Sequence, residues 1–438
     1  MANYINEMIQ NKISQIKNDE NVYSVGRVNK INDYILEISG LDDACYFEEI
    51  RIGENNIGYV NAIFPNYINV ALIKKNSPIH VNDEAIATGH EFCCNYSPDS
   101  LGKIIDMFGN DKLANKEFQN IETLRLESEN IPIMDRSSVC RPLYTGITGI
   151  DLVYPIGKGQ RQLIIGDKKT GKTQIALDTI VSLNTDDVTC IYIAIGKTKK
   201  AIREVYEELA KRGAMKYTII LAALNDDLPT VLSWTPYAGL AIANKLLNEG
   251  KDVLVIIDDL KRHADAYREI CLLTGKMPGR EAYPSDIFYT HARLLEKGCQ
   301  KKDGGSITIL PIVETKGADI TDYISTNIIS ITDGQIVLSK KNFDKGLKPA
   351  IDYGLSVSRL GSAVQTPKLK KLGSKVKREL RSYLEKRDVY ELANVDEMSP
   401  EMRDTLSRGK KILDGLTQYK FDKRTEQSIA MQFEKLVK

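Results

Sequence analysis

The sequence is poor in the residues that mark several common classes of protein. Histidine occurs four times in 438 residues, and none of the four has the HExxH spacing of a zinc site. The seven cysteines are odd in number, scattered and without a CxxC pair, which is typical of reduced thiols in a cytosolic protein. These absences argue against a zinc enzyme and against a disulfide-stabilised secreted domain.

An excess of charge and long apolar runs are also missing. The 60 basic and 59 acidic residues leave a net charge of +1, so no overall field attracts nucleic acid or an anionic membrane. No apolar run reaches the ~20 residues needed to span a bilayer, and the first residues lack the apolar core of a signal peptide. We therefore expect a cytoplasmic protein of two or three domains that neither binds nucleic acid nor inserts into a membrane.

One motif is present in full. Residues 166–173 read GDKKTGKT, fit the pattern GxxxxGK[ST], and follow an apolar run that predicts a strand. In such a loop the glycines let backbone N–H groups approach a polyphosphate, the lysine reaches the outer phosphates, and the last hydroxyl binds magnesium. The pattern predicts a site for ATP or ADP with Mg²⁺. Its residues are Gly166, Asp167, Lys168, Lys169, Thr170, Gly171, Lys172 and Thr173.

The other half of the site follows two further strands. A carboxylate at the end of a neighbouring strand holds magnesium through water, and Asp258, rather than Asp259, is the expected partner of Thr173. Hydrolysis also needs a group that orients the attacking water, and in ring ATPases this is a carboxylate at the end of the strand that here ends with Gly196. The sequence has Lys197 at that position, and a charged lysine cannot accept a proton. We therefore expect nucleotide binding with little turnover.

Periodicity divides the chain into four parts. An amphipathic helix is predicted over residues 1–21, and a small β-barrel over 22–88, where apolar residues alternate. Residues 89–367 alternate strands with helices, which predicts a nucleotide-binding domain around a mostly parallel sheet, and 368–438 are helical. The α/β domain is expected to contain strands at 188–195, 217–221, 253–257 and 306–310, and a hairpin at 327–338 around Asp333 and Gly334.

Further segments resemble the alpha subunit of the F-type rotary ATP synthase, in order over about residues 144–365. They are TGITGID at 145–151, PIGKGQR at 155–161, PGREAYP at 278–284, HARLL at 291–295, SITDGQ at 330–335 and SVSRLG at 356–361. The resemblance implies a multidomain fold: an N-terminal β-barrel, a central RecA-like P-loop domain and a C-terminal helical domain. It also implies a ring of three alpha-type and three beta-type subunits around a central, gamma-type stalk.

The resemblance also assigns residues outside the P-loop. Arg359 matches the family's arginine finger, which reaches into the catalytic site of a neighbouring beta-type subunit, and Ser356 and Ser330 match serines near the same interface. Lys348 and Pro349 match the family's adenine-side pair. The family's alpha subunits bind Mg-ATP without turning it over, which agrees with Lys197.

The remaining implications concern the two ends of the chain. Gln418 matches an adenine-side glutamine. The N-terminal helix is expected to bind a peripheral-stalk or delta-type subunit, and the complex is expected on the inner face of a bacterial cell membrane.

The sequence departs from the family at charged positions. Lys168 and Lys169 replace the usual Arg-Gln, Lys348 replaces an arginine, and Lys197 replaces a glutamine. The helical domain is expected to be shorter than usual, which is compatible with a paralogue in an F-type-like motor that drives another process. A ring-shaped RNA or protein translocase is an alternative from a different class, and it would need a catalytic carboxylate of its own.

Overall fold

The structure is a computed structural model that describes residues 24–113, 116–127, 130–184, 187–390 and 400–436. The helix predicted for residues 1–21 lies outside this range. The chain divides into two compact units. The first extends to Phe92 and includes Leu273–Gly275, and the second contains the remaining residues.

A closed antiparallel barrel forms the first unit, as the alternation of apolar residues predicts. Ile50 and Ile52 are fully buried, whereas Arg51 between them is exposed, because successive side chains of a strand point to opposite faces. The barrel closes in the order β1-β2-β5-β4-β3-β6. Within the described residues its strands are β1 Val25–Asn32, β2 Ile35–Ser39, β3 Glu48–Ile52, β4 Asn56–Ile63, β5 Ile68–Lys74 and β6 Glu84–Glu91.

The second unit is built on a larger sheet with helices between its strands, and its described residues also form two small sheets. The strands of this unit are β7 Cys93–Tyr96, β8 Ile104–Ile105, β9 Asn110–Asp111, β10 Lys116–Glu117, β11 Glu122–Arg125, β12 Arg136–Ser137, β13 Pro142–Leu143, β14 Ile156–Gly157, β15 Leu163–Asp167, β16 Val188–Lys197, β17 Thr218–Leu224, β18 Asp252–Asp258, β19 Cys299–Lys301, β20 Ser306–Thr315, β21 Gly334–Leu338 and β22 Val357–Ser358. In the two small sheets, β7 pairs with β11 and β13 pairs with β14. Its helices in the described ranges are α1 Lys172–Ser182, α2 Lys199–Lys211, α3 Pro229–Asn248, α4 Leu260–Leu273, α5 Ile287–Leu295, α6 Tyr323–Ile331, α7 Lys340–Asp344, α8 Pro367–Tyr390, α9 Pro400–Leu416 and α10 Glu426–Leu436.

The centre of this sheet has the order β8-β17-β16-β18-β20-β15-β21, and these strands are parallel. The strands predicted at 188–195, 217–221, 253–257 and 306–310 are therefore confirmed, each within longer or slightly shifted bounds. Ala194 pairs with Asp258 in the register, so β16 and β18 end side by side. Because the carboxyl ends of parallel strands meet at one edge, this edge collects the loops that follow β15, β16 and β18.

The predicted hairpin at 327–338 is wrong. Residues Tyr323–Ile331 form helix α6, whose first turn is capped by the Asp322 carboxylate accepting from the Ser325 N–H. Ile324 and Ile328 are buried four residues apart, a helical spacing hidden in an isoleucine-rich segment. Strand β21 pairs parallel with β15 instead. Asp333 thus belongs to a helix-to-strand turn.

The helices beyond residue 366 pack on the nucleotide-binding domain within the same unit. Leu372, Val376 and Leu380 lie four residues apart on α8 and are buried in the core that extends from the sheet. Gly409 of α9 lets two helices approach closely, because a Cβ there would lie 2.3 Å from the Cβ of Tyr383. In the described part of the chain, no helix combines the length and apolar character needed to cross a membrane.

Candidate functional site

The GDKKTGKT loop wraps tightly between β15 and α1. A Cβ on Gly166 would lie 2.5 Å from the backbone oxygen of Leu338, so only glycine fits against β21 there. Gly171 has a φ of +99°, a conformation that favours glycine, and helix α1 begins at the next residue. The loop therefore presents backbone N–H groups at a helix amino end, which is the arrangement that binds a phosphate chain.

The Lys172 ammonium lies inside the loop. Its Nζ donates to the backbone oxygens of Gly166 (2.9 Å) and Asp167 (2.6 Å), and the side chain is buried. Burial lowers the pKa of Lys172, and the nearby Glu314 carboxylate acts in the opposite direction. A buried cation held by carbonyl oxygens and by one loosely placed carboxylate, 3.9 Å away, is suited to a phosphate group.

The other loop residues have different roles. The Asp167 carboxylate accepts from the Thr315 hydroxyl (2.6 Å) and the Ala318 N–H (2.8 Å), so it fixes the loop to the end of β20. The Thr170 hydroxyl donates to the Asp167 backbone oxygen and closes the turn. Lys168 and Lys169 are exposed at the tip.

The structure brings Thr173 and Asp258 together, as the sequence predicts for a magnesium site. The Thr173 hydroxyl donates to Oδ2 of Asp258 at 3.0 Å, and the Asp258 carboxylate is almost fully buried. A hydroxyl and a carboxylate beside a phosphate loop form the oxygen donor set that magnesium prefers. Asp259 faces elsewhere, because its carboxylate accepts from the N–H groups of Lys261 (2.6 Å) and Arg262 (3.1 Å) at the start of α4. Burial, followed by the charge of Asp258, raises the pKa of Asp259 to about 6.

Two further side chains contact the Asp258 carboxylate. The Tyr192 hydroxyl donates to Oδ2 at 2.6 Å, and the Lys197 ammonium forms an ion pair with Oδ1 at 2.7 Å. Burial, together with Asp258, raises the pKa of Tyr192 well above its ordinary value, so the phenol stays protonated and donates. Sequence reasoning missed Tyr192, although a hydroxyl in the otherwise apolar run of β16 was a signal that it needed a polar partner.

An apolar cavity of about 500 Å³ continues from the phosphate loop. Thr170 and Gly171 line the end of the cavity at the loop, and Lys348, Pro349 and Gln418 line other parts of it. The structure thus brings together residues predicted for the phosphates and residues predicted for the adenine. Further lining residues that the sequence did not indicate are Phe343, Tyr419, Asp178 and Ile175. A pocket of this size, with a mostly apolar surface, two aromatic side chains and several polar side chains, suits a nucleoside.

Gln418 lies in this cavity wall with its amide engaged. Its Oε1 accepts from the N–H (2.9 Å) and hydroxyl (3.1 Å) of Thr148, and its Nε2 donates to the backbone oxygen of Gly146 (2.6 Å). Its backbone N–H donates to the Lys348 oxygen at 2.6 Å. Gln418 therefore fastens the segment after α9 to the TGITGID motif, and in this arrangement its side chain shapes the cavity.

Arg359 lies at the other end of the sheet. It follows β22, whose Ser358 pairs with Gly334 at the amino end of β21, and its side chain is exposed. The P-loop follows the carboxyl end of β15, and β15 and β21 are parallel, with Gly166 beside Leu338. The stretch of β21 from Gly334 to Leu338 spans about 13 Å. Arg359 is thus separated from the nucleotide site of its own chain by the length of a strand.

The two predicted serines differ in their surroundings. Ser330 is exposed on α6, donates to the Thr326 oxygen at 2.8 Å, and adjoins Ile329, whose oxygen accepts from the Arg359 guanidinium at 3.4 Å. Ser356 is buried, and its hydroxyl accepts from the Val337 N–H at 3.0 Å. The structure therefore brings Arg359 and Ser330 to one surface, whereas Ser356 is buried against β21.

A parallel sheet whose carboxyl edge carries a phosphate loop, a threonine–aspartate pair and a nucleoside-sized cavity defines a P-loop nucleotide-binding protein. Comparison with known proteins specifies the class. The model of the ATP synthase alpha/beta family, nucleotide-binding domain, matches residues 146–358. ATP synthase subunit alpha 1 of Listeria welshimeri is 43% identical over 381 residues, 86% of this chain and 76% of that relative. The chain belongs to the ATP synthase alpha/beta family, in its F-type alpha subunit branch, which confirms the resemblance.

Proposed function

We propose that this chain is a non-catalytic subunit of a rotary ATPase, which binds ATP or ADP with Mg²⁺ and does not hydrolyse it. The observation that carries this proposal is the position of the Lys197 ammonium at the end of β16. The site has the loop, the lysine and the threonine–aspartate pair that hold a nucleotide. At the end of β16, where a catalytic carboxylate would orient water, it has an ammonium group ion-paired to Asp258. A cation there cannot act as a general base.

The second part of the proposal is that Arg359 acts as an arginine finger for a neighbouring catalytic, beta-type subunit. Its guanidinium is exposed, distant from its own nucleotide site, and donates to the Ile329 backbone oxygen over a long 3.4 Å. Its backbone is well fixed, since its N–H donates to the Asp333 oxygen at 2.9 Å. A rigid backbone with a weakly held guanidinium suits a group that stabilises charge on a partner's phosphoryl group.

The assembly follows from the same proposal. Three copies of this chain would alternate with three beta-type subunits around a gamma-type stalk, so that each Arg359 faces a catalytic site. The segment 1–21 would bind a peripheral-stalk or delta-type subunit, and the complex would lie on the inner face of a bacterial cell membrane. The direction of the overall reaction, synthesis or hydrolysis, depends on the remaining subunits. A specialised F-type-like motor would use the same two sites.

Binding and hydrolysis by the purified full-length chain test the first part. We expect calorimetry to detect stoichiometric binding of Mg-ATP, and a phosphate-release assay to detect almost no turnover. Lys172→Ala should weaken binding roughly 10- to 100-fold, because a charge-assisted contact contributes about 1.5–3 kcal/mol. The exposed Lys368 on α8 provides the control, and Lys368→Ala should bind like the wild type.

Rapid hydrolysis by the purified chain would contradict the proposal. It would also revive the ring translocase as a candidate, which a strand-binding assay at moderate salt would then test. The present site favours the rotary ATPase, because a translocase of this class needs its own catalytic carboxylate in the position that Lys197 occupies.

A further inference from the structure

The Asp258 carboxylate is already neutralised within this chain. Its Oδ1 is 2.7 Å from the Lys197 ammonium, and its Oδ2 accepts from Thr173 at 3.0 Å and from Tyr192 at 2.6 Å. Both oxygens are therefore engaged, and the carboxylate's negative charge is balanced by a positive charge at ion-pair distance. Because the Asp258 side chain is only 2% exposed, solvent screens this ion pair weakly.

This balance weakens the usual reason for a metal at the site. Magnesium beside a P-loop binds through a hydroxyl and, by way of water, through a carboxylate whose negative charge attracts it. When an ammonium has neutralised that carboxylate, the attraction for a divalent cation falls. The same ammonium removes the repulsion that an unpaired Asp258 carboxylate would exert on metal-free phosphates.

Lys197 remains accessible beside the phosphate loop. Its side chain is 29% exposed and lines a cavity of about 340 Å³ that Thr173, Asp258, Glu204 and Glu208 also line. The surroundings contain further positive charge, since Lys172 lies inside the loop and Lys168 and Lys169 are exposed at its tip. A metal-free nucleoside triphosphate carries more negative charge than its magnesium complex, so it gains more from these lysines of the loop and from the neutralisation of Asp258.

We propose that Lys197 is an internal counter-ion that partly replaces magnesium, so that this site binds metal-free nucleoside triphosphate nearly as well as the magnesium complex. The inference rests on the proposed function, because it assumes that the site binds a nucleotide. It goes further in identifying the ligand form and the residue that determines it. In this chain Lys197 makes nucleotide occupancy nearly independent of the free magnesium concentration.

The test compares ATP dissociation constants of the full-length chain in excess Mg²⁺ and in excess EDTA. We expect the two constants to agree within about threefold for the wild type. Lys197→Gln keeps a polar side chain of similar length and removes the charge, so its constant in EDTA should exceed that in Mg²⁺ by about tenfold or more. Lys197→Arg keeps the charge and should behave like the wild type. Lys199→Gln changes an exposed lysine two residues away and is the matched control.

The outcomes separate this inference from the function on which it rests. An equal magnesium dependence in the wild type and Lys197→Gln, with both binding ATP, would overturn the role of Lys197 and leave the proposed function standing. If the wild type binds ATP neither in Mg²⁺ nor in EDTA, the inference and the proposed function are both overturned. Tight binding in EDTA by the wild type and Lys197→Arg, lost selectively in Lys197→Gln, would establish the internal counter-ion.

Discussion

The nucleotide site and the Arg359 surface present cations in opposite ways. Lys172 and Lys197 are held within the chain, one by carbonyl oxygens of its own loop and the other by a buried carboxylate. Arg359 is exposed, and its guanidinium makes a long contact to the Ile329 oxygen. In the proposed function the first region binds its ligand with groups of one chain, whereas the second acts on a phosphoryl group that another subunit would hold. The difference predicts that substitutions in the two regions affect different measurements.

The largest expected effect separates the two regions by activity. Arg359→Ala should lower ATP hydrolysis by the assembled complex about 10³- to 10⁵-fold, because removing an arginine finger removes transition-state charge stabilisation. ATP binding by the isolated chain should not change, since Arg359 lies a strand's length from that site. The measurements are steady-state hydrolysis by the complex and calorimetry on the chain.

An exposed arginine on α8 gives the control. Arg381 forms an ion pair with Glu385, four residues away on the same helix, and Arg381→Ala should leave both measurements unchanged. If Arg359→Ala retains full hydrolysis in a complex of normal composition, the finger is assigned to the wrong residue and the comparison fails.

A smaller effect is expected at the turn that holds Arg359. The Asp333 carboxylate accepts from the Arg161 backbone N–H (3.0 Å), Nε (3.0 Å) and Nη2 (2.7 Å), while its backbone oxygen accepts from the Arg359 N–H. Asp333→Asn removes the charge that holds Arg161 and should loosen this turn. Misplacing a catalytic group slightly costs up to about 100-fold, and we expect a loss of about tenfold in hydrolysis by the complex.

Asp333 would act through Arg359 as a positioning residue, and a double variant tests this. When Asp333→Asn is added to Arg359→Ala, no further loss should occur, because the group being positioned is already absent. A further tenfold loss in the double variant would show that Asp333 acts on the whole domain instead of on the guanidinium.

Most of the fold could be predicted from the sequence. The barrel, the parallel sheet and the terminal helices follow from periodicity, and the fold is as expected. The sequence predicts a strand over the last five residues of helix α6 because their isoleucines satisfy both patterns, and the capping residue, Asp322, precedes the predicted hairpin. A short apolar run does not by itself distinguish a buried helix from a strand.

The site was predictable to the extent that it depends on local chain geometry. The phosphate loop and Asp258 follow from a motif and a strand end, and the structure brings them together. The hydroxyl of Tyr192 on Asp258, and the engagement of the Gln418 amide with Thr148 and Gly146, depend on contacts between segments 66 and about 270 residues apart. No local pattern specifies such contacts, because they depend on how separate elements pack.

The smallest effect is one of stability. Tyr192→Phe removes a hydrogen bond to the buried Asp258 carboxylate and should lower the free energy of unfolding by about 1 kcal/mol, because that oxygen loses one of its donors. Arg359→Ala should change it by no more than about 0.5 kcal/mol, as for other exposed side chains. Urea unfolding followed by the fluorescence of the single tryptophan, Trp234 in α3, reports on the unit that contains both residues. Equal shifts of the two unfolding midpoints would mean that Arg359 is part of the folded core of its own chain. The distinction between the nucleotide site and the Arg359 surface would then not hold.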